Sequence, residues 1–402
     1  MNWPLKRLSE LCLLAVDCVN KTAPIVEGPT SFKMIRTTNV KRGFIDTKIV
    51  RYVSENTYEQ WTRRSRPLFG DVILTREAPV GEVGRCTFAE SEQIFLGQRL
   101  FQYRPDPALL DWNYLAFALQ SPQVQNKLRG LSFGATVPHI KVGDAEHLEI
   151  PCPPLVTQQA IGGLLAAYDD LIETNQARIC LLEESARLLY REWFVSFRYP
   201  GHSIGMSSGL PQGWRTQPLA EMAEVNRASL GAKDKPEEIR YVDIASVETG
   251  VVLGATKMPY VDAPGRARRL VQHGDVIWSC VRPNRRSYAL LWEPGEDVVV
   301  STGFAVLTAS GIPFSYLYFA TTSDEFVAYL TNRATGAAYP AVSGKDFEEA
   351  PLLCPSSEVL QSFDERCLPI LELRSKLILQ NAHLTEARNA LLPKIMSGAL
   401  AV

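Results

Sequence analysis

Tyr114-Leu115-Ala116-Phe117-Ala118-Leu119-Gln120-Ser121 returns 202 residues later as Tyr316-Leu317-Tyr318-Phe319-Ala320-Thr321-Thr322-Ser323. The same shift carries Leu128, Gly134-Ala135, Pro138, Asp144, Glu146 and Cys152-Pro153 onto Leu330, Gly336-Ala337, Pro340, Asp346, Glu348 and Cys354-Pro355. Thirteen of the 40 positions from 114 to 153 are identical, far more than unrelated sequence gives. Upstream, Gly70-Asp71-Val72-Ile73 recurs as Gly274-Asp275-Val276-Ile277 at a shift of 204, and Trp3…Leu8 as Trp214…Leu219 at 211. Length changes this small belong in loops. A repeat of about 200 residues is too long for a solenoid unit, so each copy is a domain with its connector.

A chain of 402 residues has room for two or three domains, and 46% apolar residues is ordinary for a folded soluble protein. No stretch approaches the roughly 18–20 apolar residues that span a bilayer, and the start, Met1-Asn2-Trp3-Pro4-Leu5-Lys6-Arg7, lacks the order of a signal peptide. The expectation is a cytoplasmic chain with no membrane partner. Eight cysteines sit singly, with Cys152 and Cys354 at equivalent repeat positions beside prolines, which suits small buried hydrophobes. The five histidines match no ligand spacing, so no metal site is expected.

The net charge of −2 is unevenly spread. Residues 1–150 carry 19 Lys and Arg against 16 Asp and Glu, whereas residues 201–355 carry 14 against 17. Arginines cluster in both copies around the Gly-Asp-Val-Ile strand: Arg63, Arg64 and Arg66 in the first, with Arg76 just beyond the strand; Arg266, Arg268, Arg269, Arg282, Arg285 and Arg286 in the second.

Val72-Ile73-Leu74 and Val276-Ile277-Trp278 read as buried strands entered from a turn. Asp111 to Leu128 and Ser315 to Leu330 read as short amphipathic helices, and Gly134…Pro138 and Gly336…Pro340 as breaker-rich loops. The first copy closes at Pro151-Cys152-Pro153-Pro154, and a long helix follows with Thr157 as its N-cap. Its apolar seam is Ile161, Leu165, Tyr168, Ile172, Asn175, Ile179, Leu182, Ala186, Leu189 and Trp193, spaced 4-3-4-3 throughout. A sustained period of about 3.5 residues is that of a coiled coil, and a lone polar Asn175 suits a register-fixing position. From Gln158 to Ser196 such a helix runs about 58 Å at about 1.5 Å per residue. A loop from Tyr199 to Gly213, rich in Gly, Ser and Pro, forms the domain boundary.

The second copy ends in a helical region from Glu358 to Leu392, with seam residues Leu377, Asn381, Leu384, Arg388, Leu391 and Ile395 preceded by Phe363, Cys367 and Ile370. Pro369 predicts a kink or a late start there. The fold class expected is α+β: two similar mixed α/β domains separated by two long antiparallel coiled-coil helices with pseudo-two-fold symmetry. The division is 1–154, helix 155–198, linker 199–213, 214–355, and helix with tail 356–402.

Catalytic equipment is missing from the motifs. The sequence has no G-x-G-x-x-G, no G-x-x-x-x-G-K-[ST], no H-E-x-x-H and no G-x-S-x-G, and no Asn-Pro-Pro-Tyr segment that would hold a flipped base. Asp71 and Asp275 recur, but each sits in a Gly-Asp turn, where turn chemistry accounts for it. The reading is a chain that binds and positions.

The chain resembles the specificity subunit of a type I restriction-modification system. The resemblance rests on Leu210-Pro211-Gln212-Gly213-Trp214, the two Gly-Asp-Val-Ile segments, and Ile150-Pro151-Cys152-Pro153-Pro154-Leu155 followed by Gln158 and Ile161. Arg191-Glu192-Trp193-Phe194-Val195 through Phe197-Arg198-Tyr199-Pro200-Gly201 and Leu391-Leu392-Pro393-Lys394-Ile395-Met396-Ser397-Gly398 extend it over nearly the whole chain. The second connector departs from the pattern at Ser356-Ser357-Glu358, Phe363 and Pro369, which leaves its packing open.

The resemblance implies two target-recognition domains reading the halves of a split, asymmetric double-stranded DNA site, with the helices as spacer. It implies docking of two modification subunits bringing S-adenosylmethionine, and of restriction subunits using ATP and Mg²⁺, with no cofactor in this chain. The arginines named above are then the candidate DNA contacts. Tyr168, Asn175, Trp193 and Leu391 are candidates for partner contact or for the seam itself, with the seam preferred. The alternatives are a duplicated protein-binding scaffold without DNA specificity, and an enzyme with an unfamiliar site.

Overall fold

The computed structural model describes all residues except 1, 2, 42, 135, 136, 202–205, 208, 232, 235, 401 and 402. Ala135 of the repeat, residues 202–205 and 208 of the linker and the chain's first two residues therefore lie outside the described residues. The rest folds as two compact units: residues 1–175 with 380–402, and residues 176–379.

In the first unit, Cys12–Asp17, Leu100–Pro105, Val72–Arg76 and Val80–Arg85 form a main antiparallel sheet in that order. A side sheet has the order Arg51–Tyr52, Phe32–Ile35, Gln93–Leu96, with the last two strands parallel. Leu5–Arg7 pairs with Glu149–Pro151 and closes the unit. The second unit repeats this plan. Its main sheet is Ala223–Val225, Phe304–Ala309, Val276–Ser279, Tyr288–Leu290, and Arg215–Pro218 pairs with Pro351–Cys354. Its side sheet is Thr256–Pro259, Glu238–Val242, Val298–Ser301 and a fourth strand, Ala267–Leu270. Where that fourth strand lies, the first unit has a helix, Glu55–Thr62, whose Tyr58 packs edge-on against Phe95.

The Gly-Asp-Val-Ile segments explain the unbroken apolar run of the central strands. Val72 and Leu74 enter one core with the helices, while Ile73 enters a second with Ile35 and Ile94; Val276, Trp278 and Ile277 divide in the same way. Successive side chains on a strand point to opposite faces, so a strand buried on both faces is apolar throughout. The turn before each strand needs Gly70 and Gly274 at φ of 86° and 83°, a region that costs a side chain dearly. Asp71 Oδ2 accepts the Leu68 amide and Asp275 Oδ2 the Gln272 amide, each at 2.8 Å. Both aspartates are turn-closers.

Each single amphipathic helix expected after the sheet is two. Trp112–Gln120 is followed by Pro122–Gly130, and Phe314–Thr321 by Asp324–Arg333. The break comes from Ser121 and Ser323, which cap the second helix of each pair by accepting the Val124 and Phe326 amides, and Pro122 occupies a first-turn position where its missing N–H costs nothing.

The first long helix spans Leu155–Tyr190 and ends in a π-helical turn, Arg191–Val195. It starts two residues earlier than Thr157, immediately after Pro154, whose carbonyl accepts the Gln158 amide at 3.0 Å. The π turn puts neighbouring Trp193 and Phe194 both into the core, which a strict seam would not. The second long helix, Ser357–Met396, runs through Pro369 as one element. A helix-interior proline costs about 3 kcal/mol. Leu360, Phe363, Cys367 and Leu371 are all buried around it, at about 1.5–3 kcal/mol for each large side chain, which outweighs that cost. Within each unit the two helices run antiparallel. Asp169 and Asn175 meet Arg388 and Asn381 in the first unit, and Glu183 and Trp193 meet Arg374 and Phe363 in the second.

Candidate nucleic-acid interface

Every seam residue is buried or half-buried: Ile161, Leu165, Tyr168, Ile172, Asn175, Ile179, Leu182, Leu189 and Trp193 on one helix, Leu377, Asn381, Leu384 and Leu391 on the other. Asn175 donates to both Gln380 Oε1 and Asn381 Oδ1 at 3.0 Å, and Asn381 donates to the Ile172 carbonyl at 3.1 Å. Two charged layers accompany this polar layer. In the first unit Asp169, wholly buried, lies 2.5 Å from Arg388 and 4.0 Å from Arg85. Burial pushes the Asp169 carboxyl up, and Arg388 and then Arg85 oppose that shift. In the second unit Glu183 takes Arg374 at 2.9 Å and Arg187 at 2.8 Å and accepts the Tyr318 hydroxyl. These side chains lock helix to helix and leave little of themselves to a partner.

The arginines divide by what already holds them. Arg76 is buried, pairs with Asp17 at 2.7 Å and donates to the Ile140 carbonyl at 2.8 Å. Both partners hold its side chain inside the unit, and Cys280 stands in its place in the second unit. Arg64 donates to the Cys18 carbonyl at 3.2 Å, and Arg66 to the carbonyls of Glu90 and Glu92. Arg63 is exposed and has no partner among the described residues.

In the second unit Arg266, Arg268 and Arg269 lie on or beside the extra strand Ala267–Leu270. They engage the Tyr241 hydroxyl, the Tyr260 hydroxyl and the Ser229 hydroxyl respectively, which steadies the guanidiniums without neutralising them. Arg282, Arg285 and Arg286 sit in the loop after Val276–Ser279. Arg282 lies 4.5 Å from the centroid of the exposed Tyr339 ring, Arg286 pairs with Asp324, and Arg285 is exposed without a partner among the described residues. Arg282 and Arg286 both adopt positive φ, 52° and 56°. Their first-unit counterpart, the loop Glu77-Ala78-Pro79, carries no basic residue.

A concavity of about 280 Å³ in the first unit gathers basic residues far apart in sequence: Arg36, Arg51 and Arg99, with Thr22, Thr37, Thr38 and Gln98 on its walls. Arg36 follows the strand Phe32–Ile35, Arg51 lies on the neighbouring strand opposite Met34, and Arg99 sits in the turn between Gln93–Leu96 and Leu100–Pro105. No carboxylate lines it.

Residues 2–184 match the family described as Type I restriction modification DNA specificity domain. A Methanocaldococcus jannaschii protein, the type I restriction enzyme MjaIX specificity subunit, is 22% identical over 362 residues, 88% of this chain and 82% of that one. The HindI specificity subunit of Haemophilus influenzae is 19% identical, over 82% of this chain and 86% of its own length. The crystal structure of a type I restriction-modification S subunit from M. genitalium superposes with a TM-score of 0.61 at 17% identity, over 98% of this chain and 96% of that one, and so shares the fold. Along most of its length this chain is similar to type I restriction-modification specificity subunits.

In a duplicated chain the surface that differs between the copies matters as much as the scaffold they share. Arg36, Arg51 and Arg99 were not legible as a group because strand pairing brings them together. The one usable signal was the repeat itself: at the matching places the second copy has Asp243, Thr256 and Gly303. Among the described residues no cluster of three or more His, Cys, Asp and Glu side chains could hold a metal ion, and no helix is long and apolar enough to cross a membrane.

Proposed function

We propose that this chain is a specificity subunit of a type I restriction-modification system, that it reads a split double-stranded DNA site, one half with each unit, and that it carries the subunits that act on that site. The observation that supports it most is a duplicated scaffold bearing basic surfaces at different positions around its side sheet: Arg36, Arg51 and Arg99 in the first unit, and Arg266, Arg268 and Arg269 in the second. Phosphate contacts by Arg and Lys set position on a duplex, and a few Arg, Asn, Gln or hydroxyl side chains read base edges. Two different basic surfaces on one scaffold suit two different half-sites.

The chemistry would reside on the partners: two modification subunits with S-adenosylmethionine, and restriction subunits with ATP and Mg²⁺. Outward-facing Leu164 and Leu171 on the first long helix, and Leu181 and Leu188 further along it, are exposed in pairs seven residues apart. Heptad spacing puts each pair on one helical face, a suitable seat for a partner helix. The near-neutral charge of this chain is compatible with modification subunits sharing the phosphate contacts.

The test compares methylated sites across the genome of a host with and without this gene. Loss of one two-part motif supports the proposal; an unchanged methylome contradicts it. Binding of the assembled complex to a duplex carrying that motif should weaken steeply with salt.

A further inference from the structure

We infer that the concavity formed by Arg36, Arg51 and Arg99 is where the first unit takes its DNA half-site, rather than the Arg63–Arg66 run. The inference rests on the two-part DNA reading and names the residues that perform it in this unit.

Three observations point the same way. The first is charge without compensation. Arg64, Arg66, Arg76, Arg85 and Arg104 each have acceptors within the unit, so that Arg63 alone of its run is unpartnered among the described residues, whereas the side chains of Arg36 and Arg51 both have none among them. Arg99 has only Glu77, at 3.3 Å in a partly exposed pair of the kind that contributes little.

The second is backbone. Arg99 sits at φ 71°, a left-handed conformation unfavourable for any residue with a Cβ, and yet the turn places an arginine there. Strain of this kind is kept where the surroundings fix it, and it gathers at binding sites. The Arg99 carbonyl accepts the amide of Arg76, so the turn is anchored to the central strand of the main sheet.

The third is the company the arginines keep. Thr37, Thr38, Thr22 and Gln98 supply neutral hydrogen-bonding groups around three cations. The space is open and slightly below the roughly 300–1,000 Å³ of pockets that enclose small molecules, which suits the edge of a polymer better than a buried metabolite. Cations flanked by hydroxyl and amide side chains match a duplex, with phosphates at the rim and base edges within.

The experiment uses the full chain in its complex with the modification subunits. The probe is duplex DNA bearing the methylated motif mapped in the host. Arg51→Ala and Arg99→Ala are the primary variants because both side chains are exposed and their removal leaves the core intact. Arg36→Ala and the triple variant follow, and Arg7→Ala, an exposed cation outside the concavity, is the charge control. Replacing an arginine that holds a phosphate should lower the slope of log affinity against log salt by roughly 0.9 per residue. Replacing one that reads a base should relax preference at one position of one half-site by roughly 5- to 150-fold. Either result, absent in Arg7→Ala and confined to one half of the motif, supports the assignment. Unchanged slope, affinity and preference in Arg51→Ala and Arg99→Ala, with the wild-type complex binding normally, overturns it and leaves the two-part reading standing. A wild-type complex with no affinity for the duplex overturns both.

Discussion

The two units keep the same skeleton and disagree at its edges. Both enter the central strand through a Gly-Asp turn, split that strand's side chains between two cores, and hang a Ser-capped helix pair on the main sheet. Beyond the side sheet the first has a helix and the second a strand, and the residues after the matching strands are Arg36 in one and Asp243 in the other. The difference teaches where selection for folding ends. Interior positions are constrained by packing in both copies, whereas edge positions are free to diverge.

The sharpest contrast lies in the buried charges between the helices. Asp169 is wholly enclosed, while Glu183 keeps 19% of its side chain exposed and shares two arginines and a tyrosine. Removing one partner of a buried pair strands the other. Asp169→Ala should therefore destabilise the first unit by about 3–5 kcal/mol, and Glu183→Ala should cost the second unit less. Chemical denaturation with hydrogen exchange resolved by residue would separate the two. Equal losses would erase the contrast.

A smaller effect is expected at the polar layer found in the first unit. Asn175→Ala leaves Gln380 and Asn381 without their donor and should cost about 1–2 kcal/mol. The double replacement by leucine should recover that loss, because a polar seam position trades stability for register. A double variant as weak as the single one would remove the register argument. The helix caps should behave alike in the two units: Ser121→Ala and Ser323→Ala should each cost about 1 kcal/mol, measured by thermal unfolding, and a clear difference would show that the duplicated pairs are not energetically equivalent.

The smallest expected effect is one of pH. Burial raises the Asp275 carboxyl above its ordinary 3.8, with the Thr308 hydroxyl and the Gln272 amide opposing. A folded-state value above the unfolded one means that the native state holds the proton more tightly. The contribution of Asp275 is then most favourable below the ordinary value and declines as pH rises through the folded one. Unfolding of Asp275→Asn against wild type, from pH 3.5 to 7, should show wild type losing ground as pH rises. A difference independent of pH would contradict this.

The scaffold was legible because a repeat exposes itself by shift alone: Tyr114 and Tyr316, identical at 202, both donate their hydroxyls to the carbonyl of the closing strand. The seam was legible from its period. Two readings were overridden by local chemistry: Ser121-Pro122 broke one helix into two, and the packing around Pro369 kept another whole. The basic concavity lay beyond reach, since residues 36, 51 and 99 meet only through strand pairing. The internal pairing of Arg76 was hidden for the converse reason. Nothing local distinguishes an exposed arginine from one whose aspartate, Asp17, lies nearly sixty residues upstream.

The central claim is that each unit reads its own half of one DNA site. Its most direct test is methylation mapping in cells carrying the wild-type chain, the Arg51→Ala/Arg99→Ala chain, or the Arg266→Ala/Arg268→Ala/Arg269→Ala chain. The account predicts one two-part motif in wild type, with opposite halves relaxed in the two variants. Relaxation of the same half in both, or a single contiguous motif, would contradict it.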